Sequence, residues 1–113
     1  VANLDEIREA RRQIQEIKVS EELIHYIYEI IGVARTSLKL ILGPSPRAAA
    51  MLLLASKAKA ALRGKDFVSP DEIKEMSLPV LRHRLILKPE AEVEGLNQDS
   101  IILEILEQVK VPR

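Results

Sequence analysis

The sequence predicts an all-α domain, a small bundle of about six helices. Apolar residues recur every three or four positions almost throughout the chain, which is the spacing of one helix face. Cap residues and prolines precede most of these apolar stretches, as at helix starts. The 113 residues are 47% hydrophobic, which is enough for one core and indicates a single domain.

The first two predicted helices are amphipathic. Asn3 is a favoured N-cap for the first, whose apolar residues form one narrow stripe. The members of this stripe are Leu4, Ile7, Ala10, Ile14 and Ile17. Ser20 caps the second helix, and the two acidic residues after it suit the positive end of a helix. The expected buried face of the second helix is Leu23, Ile27, Ile30, Ile31, Ala34 and Leu38.

The third predicted helix is the most apolar one. Ser45 begins it, and Pro46 takes the first helical position, where proline is favoured. Residues 48–55 are apolar nearly all round the helix, which is typical of a helix buried at the centre of a bundle. Gly64 marks the end of this helix.

A complete start signal opens the fourth predicted helix. Ser69 is the cap, Pro70 follows it, and Glu72 completes a capping box. Pro79 is expected to end this helix and to begin a further short one, because proline interrupts a helix interior.

The remaining stretch predicts one more helix. Residues 85–87 fit a very short strand, and residues 87–95 fit an irregular acidic connection. Asn97 caps the last helix. The inner face of that helix is expected to be Ile101, Ile102, Ile105, Leu106 and Val109.

The composition argues against several classes of function. The chain has no cysteine, which excludes disulfides, thiol catalysis and cysteine-ligated zinc. The two histidines, His25 and His83, lie far apart, so no metal site is expected. Because 17 basic residues balance 17 acidic ones, no nucleic-acid partner is expected. No apolar run reaches the roughly 18 residues of a membrane span, and no signal peptide opens the chain, so we expect a cytoplasmic protein.

The charges are unevenly distributed along the chain. Residues 44–65 contain five basic residues and no acidic one, and residues 78–88 contain three basic residues and no acidic one. Residues 89–113 carry six acidic residues against two basic ones. Such a distribution fits a chain that meets an anion at one place and a protein elsewhere, although solvated helix surfaces have the same appearance.

Arg47 breaks a local rule of helix formation. It lies in the first turn of the third predicted helix, where the helix dipole disfavours a cation. The same helix end attracts anions, and a guanidinium is a planar fork suited to phosphate oxygens. One interpretation is a phosphate-contacting arginine, with Ser45 and Pro46 beside it at the site. The other is an ordinary surface arginine paired with a carboxylate.

Four blocks of the sequence carry a family resemblance. They are LGPSPRA (residues 42–48), LRGKDFVSPDEIK (62–74), PVLRHRL (79–85) and PEAEVEG (89–95). In this order and spacing they resemble the C-terminal lid of the MoxR family of AAA+ ATPases, over residues 19–113. The family pattern has alanine where this chain has Pro44. Residues 1–18 either belong to the lid or tether it to an ATPase core.

The resemblance implies a function that the residues alone do not. Members of this family couple ATP hydrolysis to remodelling or maturation of partner proteins, often proteins with von Willebrand A domains, and commonly form hexameric rings. Arg47 matches the sensor-2 arginine, which reads the γ-phosphate and in this branch is expected to act on the nucleotide of a neighbouring subunit. The implied partners are the protein's own ATPase core and neighbouring subunits. ATP and Mg²⁺ would be bound in that parent protein, and the isolated chain is expected to bind no cofactor and to be inactive.

Two other functions stay open at this point. A free-standing helical protein-interaction domain would need no role for Arg47. A helix-turn-helix nucleic-acid binder would use the third and fourth helices, but Asp71 and Glu72 would then present carboxylates to the groove. A reading frame that continues upstream into a glycine-rich phosphate loop would favour the ATPase lid.

Overall fold

Six α-helices, one 3₁₀ turn and two short strands follow one another in residues 3–112, the part of the chain that the structure, a computed structural model, describes. In chain order they are α1 (Leu4–Glu16), α2 (Glu21–Arg35), β1 (Leu40–Leu42), α3 (Arg47–Leu62), α4 (Pro70–Leu81), the 3₁₀ turn (Arg82–Arg84), β2 (Ile86–Leu87), α5 (Pro89–Val93) and α6 (Gln98–Gln108). The predicted helical fold class and the short strand near residues 85–87 are confirmed. Residues 1 and 2 of the predicted N-terminal segment 1–18, and residue 113 of the predicted segment 19–113, lie outside the described residues.

Helix caps account for where most of the helices begin. The side chains of Asn3, Ser20 and Asn97 each accept a hydrogen bond from the backbone N–H three residues further on, at 2.8, 3.2 and 2.8 Å. Each of these bonds satisfies a helix N–H that has no partner inside its own helix. The predicted starts of α1, α2 and α6 are therefore confirmed.

The core lies where α2, α3, α4 and α6 meet. Its fully buried apolar side chains include Ile27, Ile30, Leu52, Ile73, Leu81, Ile101 and Ile102. The predicted inner face of α6 is confirmed, since all five of its residues are buried. The prediction that α3 is buried all round is wrong, because Met51 and Leu54 are 45% and 59% exposed. One face of α3, made largely of small residues, enters the core: Ala48, Ala49, Leu52, Ser56 and Ala60.

The second helix ends earlier than its apolar pattern predicts. Thr36 terminates α2, and its hydroxyl donates to the carbonyl oxygens of Gly32 and Val33, at 3.2 Å each. Leu38, which we expected on the buried face, is 85% exposed. The chain then enters β1, which pairs antiparallel with β2 and buries Leu40.

Pro79 does not end the fourth helix. It lies exposed inside α4, which continues to Leu81. The short helix expected to begin at Pro79 is instead a 3₁₀ turn at Arg82–Arg84. Leu81 is completely buried, so tertiary packing outweighs the loss of one backbone hydrogen bond at the proline. The acidic connection after residue 87 contains a short helix, α5, which buries Ala91.

The first helix lies at the edge of the domain. None of its residues is buried, and Leu4 and Ile7 of its apolar stripe are 60% and 41% exposed. The chain after it is fixed more firmly: the Lys18 N–H donates to the Asp66 carbonyl oxygen, and the Lys18 carbonyl oxygen accepts from the Val68 N–H, both at 2.9 Å. No helix within residues 3–112 is long and apolar enough to cross a membrane.

Candidate functional site

Close backbone packing fixes the segment that leads into α3. A Cβ atom at Gly43 would lie 2.8 Å from the carbonyl oxygen of Ala34 and 3.0 Å from the Cα atom of Arg35. No ordinary side chain fits so near to backbone atoms, so glycine is required here for close approach. Pro44, the next residue, is buried. Residues 43–46 are therefore held against the C-terminal end of α2.

Arg47 is the first residue of α3 and is exposed. The helix begins slightly later than predicted, because Pro46 is its N-cap with φ −57° and ψ −24°, and no side chain caps it. Ser45 and Pro46 are exposed beside Arg47. Within residues 3–112 no carboxylate forms an ion pair with Arg47 and no hydrogen bond engages its guanidinium. The charge is thus available at a helix end that favours anions.

A cleft of about 580 Å³ lies beside this segment. Its lining comprises Arg35, Ile41, Leu42, Gly43, Pro44, Ser45, Pro46 and Arg84. The lining therefore contains two cationic side chains, two exposed aliphatic ones and no acidic one. We call it the arginine cleft. Ser45 and Pro46, two of the three predicted site residues, line this cleft, and Arg47 follows them directly in the chain.

The 3₁₀ turn contains two arginines with different surroundings, Arg82 and Arg84. Arg82 donates to both carboxylate oxygens of Asp99, from Nε at 2.7 Å and from Nη2 at 2.9 Å. This bidentate pair lowers the pKa of the Asp99 carboxyl and neutralises Arg82 locally. Arg84 instead donates to the Val80 carbonyl oxygen and lies 2.9 Å from the Met51 sulfur. Its partners are neutral, so its charge remains uncompensated in the cleft.

The other end of α3 carries a cation cluster with a structural role. Glu72 is 1% exposed and accepts hydrogen bonds from Lys65 Nζ at 2.8 Å and Arg63 Nη1 at 2.7 Å. It also accepts from the N–H and hydroxyl of Ser69, at 2.8 and 2.9 Å, which confirms the predicted capping box. Burial alone would raise the pKa of Glu72, but these donors outweigh it and lower the pKa from 4.5 to about 2. Two of the five cations in residues 44–65 therefore hold the turn between α3 and α4.

Comparison with known proteins identifies the family. The model of the AAA lid domain matches residues 33–105, which is more than half of the chain. The chain belongs to the AAA lid domain family. The sequence-based resemblance to an AAA+ lid is therefore confirmed.

The relatives of this AAA lid domain include MoxR proteins. It is 29% identical over 104 residues to Chaperone MoxR1 of Mycobacterium tuberculosis, and this match covers 84% of the lid domain and 28% of the relative. It is 37% identical over 102 residues to Uncharacterized protein YeaC of Bacillus subtilis, covering 90% of the lid domain and 32% of the relative. The chain thus spans about a third of the length of these curated relatives.

A solved structure has the same fold. The crystal structure of a "putative ATPase" from Cytophaga hutchinsonii superimposes on the lid domain with a TM-score of 0.90 and 34% sequence identity. The match covers 96% of this chain and 36% of that one. The chain is therefore an AAA lid domain related to MoxR-family ATPases.

Proposed function

We propose that this AAA lid domain is the C-terminal lid of a MoxR-type AAA+ ATPase, in which Arg47 senses the γ-phosphate of ATP. The observation that supports this role is the exposed Arg47, which lacks a carboxylate partner within residues 3–112 and follows a segment fixed by the packing of Gly43. Because the backbone before it is held in place, only the side chain of Arg47 has to order when a phosphate group arrives.

The described residues fit a phosphate group and do not fit its metal ion. Arg47 and the arginine cleft offer cations and no carboxylate. No group of three or more His, Asp or Glu residues within residues 3–112 is arranged to hold a metal ion. Phosphoryl transfer needs Mg²⁺ against the phosphates and an oriented water, which we assign to the ATPase core of the parent protein. The lid contributes a cation to the reading of the nucleotide.

The proposed partners are the parent protein's own ATPase core and neighbouring subunits of a ring. Several exposed apolar side chains support such contacts, among them Leu54, Leu62 and Val93, which are 59%, 84% and 88% exposed. In this proposal Arg47 acts on the nucleotide of a neighbouring subunit, and residues 1–18 tether the lid to its core through the exposed stripe of α1. The assembly would remodel partner proteins in the cytoplasm, with von Willebrand A-domain proteins as the partner class.

The experiment that tests this function replaces Arg47 in the full-length protein. The Arg47→Ala variant should lose ATP turnover on the order of a thousandfold, as when an arginine contact to the transferring phosphate is removed in other phosphoryl-transfer enzymes. Arg47→Lys should restore little of it, because a point charge does not replace a bidentate fork. The matched control is Lys110→Ala, since Lys110 is also an exposed cation but lies beyond the C-terminal end of α6.

The same variant should leave the fold unchanged. Because Arg47 makes no side-chain bond within residues 3–112, Arg47→Ala should change the free energy of unfolding of this chain by less than about 0.5 kcal/mol. Normal ATP turnover in the Arg47→Ala protein would contradict the sensor role. It would favour instead the free-standing helical protein-interaction domain.

A further inference from the structure

We infer that Arg35 and Arg84 also bind the polyphosphate of ATP, in the arginine cleft. This inference rests on the proposed function for its ligand, and it adds two binding residues and a defined surface to the single sensor residue. The main observation is that the cleft is lined by two arginines and no acidic residue. The sequence gives no local sign of it, because the two arginines lie on separate elements, one at the end of α2 and the other in the 3₁₀ turn.

Among the described residues, Arg35 and Arg84 lack the carboxylate partner that three other arginines have, and unlike the other unpaired arginines they line one cleft. Arg12, Arg63 and Arg82 each form an ion pair with a carboxylate. Within residues 3–112, no ion pair joins Arg35 or Arg84 to an acidic residue. The helix dipole favours a cation such as Arg35 in the last turn of α2, but it does not explain a second arginine in the same cleft.

The position of Arg84 is fixed although its charge is not balanced. Its guanidinium donates to the carbonyl oxygen of Val80 and contacts the sulfur of Met51, so α4 and α3 both orient it. An arginine has five N–H donors, and these two neutral contacts leave others for a ligand. Like charges that share a cleft repel, and an anion placed among them removes that repulsion. Binding of an anion in the cleft is therefore favoured.

The size and lining of the cleft favour a nucleotide polyphosphate. Its volume of about 580 Å³ is within the range of small-molecule sites. Arginine forks match phosphate oxygens in pairs, and a triphosphate supplies enough of them for more than one guanidinium. The cleft also includes Ser45 and Pro46, the residues just before Arg47, so a phosphate chain bound there would extend towards the proposed sensor. An acidic segment of a neighbouring subunit is the competing ligand, and the experiment separates the two.

The test measures ATP affinity in the full-length protein carrying Arg35→Gln or Arg84→Gln. Each variant should weaken the Kd for ATP about tenfold or more, as expected for the loss of a hydrogen-bonded charge contact, and should leave the affinity for adenosine unchanged. Lys110→Gln is the matched control, an exposed cation beyond α6, and should bind ATP as the wild type does. If Arg84→Gln perturbs the fold through its contacts with Val80 and Met51, the exposed Arg35→Gln still decides the question.

The outcomes distinguish this inference from the proposed function. Unchanged ATP affinity in both glutamine variants, with turnover lost in Arg47→Ala, overturns the arginine cleft as a phosphate site and leaves the sensor role standing. Weakened ATP affinity in the glutamine variants, with normal turnover in Arg47→Ala, supports the cleft and overturns the sensor role. Loss of affinity that only follows loss of ring assembly, measured by light scattering, overturns the inference in favour of an acidic segment of a neighbouring subunit.

Discussion

Replacing Gly43 by alanine should destabilise the domain and displace the segment that leads to Arg47. The added Cβ would lie 2.8 Å from the carbonyl oxygen of Ala34, whereas ordinary contact begins at 3.4 Å. Because the atoms it meets belong to the backbone, they cannot move aside as the end of a flexible side chain does. The segment must therefore shift by about 0.6 Å, the difference between these two distances.

The magnitude follows from two opposing effects. Overpacking of this kind costs about 1–3 kcal/mol. Alanine also restricts the unfolded chain, which stabilises the folded state by about 0.4–1 kcal/mol where the backbone conformation suits it. Gly43 has no positive φ, so alanine meets no conformational penalty there. The net expectation for Gly43→Ala is a loss of about 1–2 kcal/mol of unfolding free energy.

Gly32 provides the matched control. It lies in the interior of α2, and a Cβ there would meet no atom within 4 Å. Gly32→Ala should therefore stabilise the domain by about 0.5–1 kcal/mol, the usual gain of alanine over glycine in a helix. Urea denaturation followed by circular dichroism measures both variants. The reasoning is refuted if Gly43→Ala is as stable as Gly32→Ala.

The same pair of variants tests the positioning of the site. Functional groups generally need to be held within about 0.5 Å of their productive positions. If Arg47 is the proposed sensor, a shift of the segment before it should therefore lower ATP turnover of the full-length protein even though Arg47 itself is intact. Gly32→Ala should leave turnover unchanged. Normal turnover in the Gly43→Ala protein would show that the packing of this segment does not position Arg47.

Three further predictions concern the core and the pH dependence of stability. Since the pKa of Glu72 is lowered from 4.5 to about 2, its ionised form contributes about 3 kcal/mol of stability above pH 4.5, and this is lost as the pH falls through 2. Unfolding measured across this range should show the loss in the wild type and not in Glu72→Gln; a flat wild-type profile would contradict it. The buried hydroxyl of Tyr26 has no hydrogen-bond partner among the described residues. Tyr26→Phe should therefore leave the stability unchanged or raise it by up to about 1–2 kcal/mol. A clear destabilisation in thermal melts would disprove this. Leu52→Ala should lower the free energy of unfolding by about 2–5 kcal/mol because Leu52 is fully buried. Leu54→Ala, on the exposed face, should lower it by less than about 0.5 kcal/mol. Equal losses on urea denaturation would count against the assigned faces of α3.

Local signals in the sequence predicted the fold wherever a helix start depends on neighbouring residues. The caps at Asn3, Ser20 and Asn97 act over three residues, so they are visible without a structure. The antiparallel pairing of β1 with β2 depends on contacts that are distant along the chain. Leu40 is buried and pairs with Leu87, and no local pattern in the sequence predicts this pairing. Tertiary packing likewise carried α4 through a proline that would end an isolated helix.

The same contrast between local signals and long-range contacts applies to the candidate site. Arg47 was predicted because a cation at a helix N-terminus conflicts with the helix dipole, and that conflict can be read from a few residues. Arg35 and Arg84 carry no such signal. Only the packing of Gly43 against the end of α2, and the contact of Arg84 with Met51, bring them to one cleft. Gly43 itself could have been suspected, since glycine is the usual residue where the backbone approaches another group closely.

The backbone link between Lys18 and residues 66–68 couples the chain that follows α1 to the turn between α3 and α4. This link lies just beyond the C-terminal end of α3, where the buried Glu72 also stiffens the structure, and Arg47 lies at the opposite end of the helix. A helix of 16 residues is about 24 Å long. Because α3 is packed into the core and the segment before it is held against α2, a rotation of about 5° about the link turns the domain as one body and moves the far end of α3 by about 2 Å. That displacement is enough to make or break a hydrogen bond to a phosphate oxygen. A small rotation of the chain before Lys18 would therefore displace Arg47 by a distance that matters for binding.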